Sequence, residues 1–188
     1  MGHLSKADSR YLRRLRRLRI LEELSEANLV GHHNGVTIVA CGDGDQFPDV
    51  FKKHAELCLA HRTSSRIHTL TLNGGALLIP PNSPLNVGGR GRILVEDILG
   101  ASDSEMKGIR TVVLYGHLPC GMVAKAKLTA YQCIRLLIQA KDEVKFASDG
   151  QLKVACFFHV EWRNGRKRTY FISATKWRRR RTRRPKTK

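Results

Sequence analysis

Apolar positions recur along this chain in two periods, and the change from one to the other marks its elements. Short apolar runs bounded by turn residues predict strands at Val36 to Ala40 and from Thr111 through Tyr115. Arg66 to Leu72 alternates with the period of two expected of a strand. Between these runs the spacing is helical. An amphipathic helix is expected from about Asp8 to Leu29, with Tyr11, Leu12, Leu15 and Leu18 on one face, and others over Asp49 to His61, Ile93 to Lys107 and Met122 to Lys141. Pro48 suits the first turn of the second of these, and Gly100 weakens the third. Near the end, Leu152 to Trp162 and Lys167 to Ser173 flank Asn164-Gly165, the strongest short hairpin signal. Strands alternating with helices predict an α/β fold: a mostly parallel central sheet with flanking helices and a C-terminal edge hairpin.

With 188 residues, 41% of them apolar, the chain suits one domain with a substantial core. Its formal charge of +18 changes that picture only at the ends. Residues 6–19 hold seven of the 34 basic residues and residues 176–188 hold nine more, which leaves 18 against the 15 acids that remain once Asp8 is set aside. The expected organisation is a basic amphipathic arm over 1–30, a folded domain over 31–175 and a basic, solvated tail over 176–188. Five cysteines at irregular spacing with no secretory signal do not suit a disulfide framework, so a reducing, cytoplasmic setting is expected. The Arg-rich start has something of an organellar presequence, but Glu22, Glu23 and Glu26 follow in the same helical pattern, and import stays open. No apolar run approaches the roughly 18 residues a membrane span requires, so no transmembrane segment is expected.

Candidate chemistry lies where strands end. Val36 to Ala40 runs into Cys41-Gly-Asp43, and the central run ends in His117-Leu-Pro-Cys120-Gly121-Met122. In an open α/β sheet the carboxyl ends of neighbouring parallel strands face one crevice, so Cys41, His117 and Cys120 can converge. Three such ligands with a fourth position open have the composition of a catalytic zinc site. The plainer reading of each is a small buried cysteine or a hydrogen-bonded turn histidine. Cys58, Cys133 and Cys156 fall in apolar patterns and read as core, His32 and His33 as loop residues, and His54, His61, His68 and His159 as solvated or packed. The Gly88-Gly-Arg-Gly-Arg92 stretch follows no strand directly and lacks the Lys-Ser/Thr of a P-loop, so it reads as a mobile loop.

The succession strand-Cys41-x-Asp43, strand-Asn73-Gly74-Gly75 with Pro80-Pro81 beyond, strand-His117-x-x-Cys120-Gly121-Met122 and a terminal hairpin resembles the β-class carbonic anhydrases over roughly residues 35 to 173. The resemblance implies zinc held by Cys41, His117 and Cys120, and an obligate homodimer with its active sites near the interface. It implies reversible hydration of carbon dioxide to bicarbonate by zinc-bound hydroxide, with Asp43 in the catalytic position and Asp45, Asn73, Gly74, Gly75 and Gly121 around the pocket. Where that family has Cys-x-Asp-x-Arg, this chain has Asp45 in place of the arginine. Asp43 can then either swing onto the cation and close the fourth position or stay nearby as an acceptor for the bound water's proton, and weak or absent hydration at neutral pH is expected.

A second class of function follows from the arms. Arg13, Arg14, Arg16 and Arg17 at one end, and Trp177, Arg178, Arg179, Arg180, Arg181, Arg183 and Arg184 at the other, suit nucleic acid or another polyanion through counterion release. Trp177 could stack on a base. No element that reads base edges is evident, so sequence-specific recognition is disfavoured.

Overall fold

The computed structural model describes residues 4–25, 35–60 and 66–182. His32, His33, His61, Arg183 and Arg184 lie outside them, as do the side chains of His54, Cys58 and Arg181. In chain order the elements are α1 (Lys6–Arg17), β1 (Leu21–Glu23), β2 (Val36–Ala40), α2 (Phe47–Ala60), β3 (Ile67–Thr71), a 3-10 turn (Gly75–Leu78), α3 (Arg90–Ser102) and β4 (Thr111–Leu118). They continue with α4 (Gly121–Lys125), α5 (Ala130–Ala147), β5 (Lys153–Glu161), β6 (Lys167–Ile172) and α6 (Ala174–Thr182).

One six-stranded sheet in the order β1-β6-β5-β4-β2-β3 organises them. β2 pairs in parallel with β3 and β4, and β4 with β5, while β6 and β1 add antiparallel on the far flank. The expected α/β class, mostly parallel with flanking helices, is what the chain forms. Every residue of β4 is buried, as a parallel strand covered on both faces requires, which is why Val112 to Tyr115 is a continuous apolar run rather than an alternating one. The hairpin makes the flank of the sheet as its Asn-Gly turn implied, and β1 closes over it, so β6 is not an open edge.

Two helix expectations are corrected. The first helix ends at Arg17 instead of running to Leu29. The chain turns through Arg19 at φ +50°, the Ile20 amide donates to the Leu15 carbonyl, and β1 then pairs with β6. Ile20 and Leu21, consecutive and both buried, are served by that turn as no single helical face would serve them. The expected long helix from Met122 is broken into α4 and α5. Thr129 caps α5 through its hydroxyl and Gln132 reaches back to the Thr129 amide, so a capping box starts a new helix where the periodicity alone continued.

The amino-terminal arm is part of the domain. Leu12 and Leu15 of α1 are fully buried, each contributing roughly 2 kcal/mol of transfer free energy. The Asp8 carboxylate accepts the Ala130 amide at 2.7 Å, adding an anion to the start of α5, where the helix dipole favours one. At the other end the chain differs from a solvated tail beginning at Lys176. Residues Ala174–Thr182 form α6, Trp177 is buried, and its ring stacks on Tyr131 of α5 at 6.1 Å. No described helix is long and apolar enough to cross a membrane.

Candidate metal centre

The topology fixes where chemistry can gather. From β2 the chain passes through α2 to β3 on one side and returns through α3 to β4 on the other, so the order reverses between β2 and β4. Crevices open at the carboxyl ends of strands flanking such a reversal. β2 ends at Ala40 and delivers Cys41; β4 carries His117 near its end, and Cys120 follows the cis Leu118–Pro119 peptide as the residue that caps α4. The ligand atoms of Cys41, His117 and Cys120 lie within 4.8 Å of one another, and all three residues are buried.

Three observations test whether this cluster fits a metal ion. Among the described residues neither ring nitrogen of the buried His117 has a hydrogen-bond partner, a costly state that a metal ion would relieve at one of the two. The two thiols are coupled. Cys41 is lowered to about 4, chiefly because the Cys120 thiol donates to it, with burial opposing and His117 and the Gly74 amide helping, whereas Cys120 is pushed up by that same bond and by burial. One thiolate is therefore easy to form beside the other and a second is not, until a cation neutralises both. Finally, two sulfurs and an imidazole are a donor set that suits zinc. The residues present fit a metal ion.

The turn after β3 supports the cluster. The Gly74 amide donates to Cys41 Sγ at 3.2 Å, Gly74 and Gly75 sit at φ +101° and +53°, and a Cβ on Gly75 would meet the backbone of Ala40 and Cys41. Glycine is required there both for the left-handed backbone and for the approach. Asn73, next in line, is exposed, and Gly121 opens α4 beside Cys120.

Asp43 lies outside the group of ligand atoms. Its Oδ1 accepts the Asp45 amide at 3.0 Å, and its side chain lines a cavity of about 290 Å³ that reaches the cluster at Cys120. Asp45 and Gly121 line the same space. The cation that approaches this loop is Lys167 of β6, which donates to the Asp45 carbonyl at 3.0 Å and pairs with Asp49 rather than Asp43.

Sequence reasoning missed several residues here. Gln46 is buried and donates Nε2 to Glu161 at 2.7 Å, while its Oε1 has no partner among the described residues; a lone glutamine ahead of a helix carries no signal of this. Leu4, Ser5 and Asp8 wall the cavity from the arm. His159 stands opposite His117 in the β4–β5 register, with Nδ1 2.9 Å from the Thr169 hydroxyl and Nε2 without a partner among the described residues. In contrast, the polyanion candidates divide. Arg13, Arg14, Arg16 and Arg17 project to solvent from α1, and Arg178 pairs with Asp142. Trp177 is a packing residue whose ring is taken by Tyr131, so it does not offer a face to a base.

Two solved structures resemble this chain. The β-carbonic anhydrase CafD of the filamentous fungus Aspergillus fumigatus aligns with a TM-score of 0.47 at 12% identity, covering 81% of this chain and 99% of that one. A point mutant of CafD aligns with a TM-score of 0.44 at 11% identity, over 81% and 98%. At these identities the likeness is one of fold alone. No protein-family model and no curated protein matches the chain.

Proposed function

We propose that Cys41, His117 and Cys120 hold a zinc ion and that the protein hydrates carbon dioxide reversibly to bicarbonate. The observation that supports this reading is the convergence of those three ligand atoms, within 4.8 Å, at the reversal point of a parallel sheet beside a cavity. Zinc so bound would lower the pKa of a coordinated water toward neutrality. Two thiolates already neutralise the ion, so the protein's other groups matter more than they would around three histidines. The Gly74 amide draws charge from Cys41 Sγ. Asp43, with Oδ1 taken by the Asp45 amide, keeps Oδ2 to accept a proton from water in the cavity. Leu4, Leu118, Val123 and Leu128 give that cavity apolar wall suited to an uncharged gas. Stopped-flow hydration with a pH indicator, on protein of measured zinc content, tests the reading. Zinc-loaded protein no faster than buffer would overturn it. Homodimer formation belongs to the same proposal and is checked by light scattering.

A second reading, polyanion binding through the basic arms, is favoured by one feature. The described parts of the two basic segments lie near one another, since Lys176 pairs with Glu22 and Tyr131 contacts both Tyr11 of α1 and Trp177 of α6. Binding of nucleic acid that does not weaken with salt would count against it.

A further inference from the structure

We infer that α1 and the turn between β5 and β6 form one groove that binds the phosphate backbone of nucleic acid without regard to sequence. The inference deepens the polyanion reading and is independent of the metal centre. It adds residues outside both arms: Arg163, Arg166 and Arg168 of the hairpin, all exposed.

Two adjoining clefts make the groove. A larger one, about 1090 Å³, is lined by Arg10, Arg13, Arg14, Arg16, Arg17 and Arg19 with Glu22 and Glu23. A smaller one, about 460 Å³, shares Arg13, Arg16 and Glu23 with it and continues onto the three hairpin arginines. Nine guanidinium groups therefore face two carboxylates, and among the described residues only Arg16 of the nine pairs with an acid, Glu23.

Aromatic rings join the two halves. The Arg13 and Arg16 guanidinium groups each lie 5.9 Å from the Trp162 ring centre, and Arg16 lies 5.2 Å from that of Tyr170. A guanidinium held over a ring by cation–π attraction keeps N–H groups for a phosphate, which arginine can hold with two bonds at once. It also orders long side chains before a ligand arrives, so less entropy is lost on binding. Arg10, Arg13, Arg14 and Arg17 follow the three-and-four spacing of one helical stripe. That stripe is about 10 Å long at a rise of ~1.5 Å per residue, enough to face several phosphates.

The chemistry favours nucleic acid over an anionic membrane. Surface helices that bind membranes insert apolar side chains beside their basic ones. Leu12 and Leu15 of α1 are instead committed to the core, which leaves Leu18 as the one exposed leucine of the segment. A concave track of arginines suits a rod of charge better than a plane.

Fluorescence anisotropy with labelled single-stranded and duplex nucleic acid of about 20 nucleotides, at roughly 50 and 200 mM salt, tests the proposal. Replacing Arg163→Gln, Arg166→Gln and Arg168→Gln together should weaken binding at least about tenfold and flatten the slope of log affinity against log salt by about 2 to 3. The corresponding Lys replacements should restore most of the affinity, whereas Arg92→Gln with Arg110→Gln, outside the groove, should bind as the unaltered chain does. A chain ending at Thr182 should retain most of its binding. If the Gln triple binds unchanged while the shortened chain does not, the groove is overturned and the terminus carries the reading. No binding of either nucleic acid by the full chain defeats both. Vesicles of phosphatidylserine and phosphatidylcholine bound tightly, with the same dependence on the hairpin arginines and no nucleic acid bound, would reassign the groove to membranes and overturn it.

Discussion

A Cβ placed on Gly75 would stand 2.4 Å from the amide nitrogen of Cys41, in a residue whose φ is +53°. The turn after β3 therefore presses directly on the residue that begins the metal centre, and its neighbour Gly74 holds the Cys41 sulfur. Gly75→Ala should cost about 2–4 kcal/mol, from backbone strain of roughly 1–3 kcal/mol plus displacement of β2's end. It should also lower metal occupancy. Gly88→Ala is the comparison, because Gly88 has φ +70° with none of the described residues near its missing Cβ and should show strain alone. Equal urea-unfolding losses in the two variants, with metal content unchanged, would mean that the close approach does not matter.

Metal and folding should be linked through the thiol pair. The bond between the two sulfurs lowers the pKa of Cys41 and raises that of Cys120, so a bound cation is what would let both be thiolates, and Cys120→Ser should lose close to one zinc per chain and melt lower. A chelator added to the unaltered protein should reproduce the shift. Zinc at about a thousand times its dissociation constant would account for about 4 kcal/mol of stability. Elemental analysis and thermal melts read both quantities, and full zinc in the serine variant would remove Cys120 from the ligand set.

The convergence of Cys41, His117 and Cys120 was legible because parallel strands buried on both faces announce themselves as apolar runs, and the three residues sit where those runs stop. What the sequence did not display is set by partners far along the chain. β1 is three residues with no alternation of its own, and it exists because β6 offers an edge. Trp177 looked like part of a charged tail because its partner, Tyr131, is 46 positions away. The Thr129-x-x-Gln132 box, which the helical period passes over, outweighs a continuous apolar stripe by giving the first amides of α5 their partners. Gln46 had no local signal at all; its burial follows from the reach of Glu161 across the sheet.

His159 should set part of the acid limit of stability. Burial lowers its pKa from 6.5 to about 4, with His117 and Lys167 acting in the same direction and Asp49 and Glu161 against it. It is neutral in the fold, while the unfolded chain takes up a proton below 6.5. The stability it supports is therefore intact above pH 6.5 and is lost as the pH falls toward 4, up to about 3 kcal/mol. His159→Gln, compared with the unaltered protein at equal zinc content, should flatten the urea-unfolding free energy between those pH values. An identical pH dependence in the two proteins would contradict this.

Trp177 should behave as a core residue. Trp177→Ala is expected to cost about 3 kcal/mol by emptying the space against Tyr131, whereas ending the chain after Thr182 should leave the unfolding midpoint unchanged. A tail that is merely solvated would give two silent changes in the same denaturant titration.

Under the proposed hydration, the fourth ligand position turns on Asp43. With Asp45 where the β-class pattern has arginine, the sequence left two fates for Asp43: ligation of the cation, or retention nearby. In the structure its Oδ1 is engaged by the Asp45 amide and its carboxylate stands outside the ligand cluster, an arrangement that a main-chain donor provides whatever the side chain at 45. Hydration should therefore survive Asp45→Arg with little change and fall at least about tenfold in Asp43→Ala, the magnitude expected when a positioned proton acceptor is removed. If Asp43 instead closes the site, the order reverses: the unaltered protein is nearly inactive and Asp45→Arg or Asp43→Ala is faster. Stopped-flow rates on the three proteins at matched zinc content separate these outcomes, because the sign of the Asp43→Ala effect alone decides between an acceptor and a ligand.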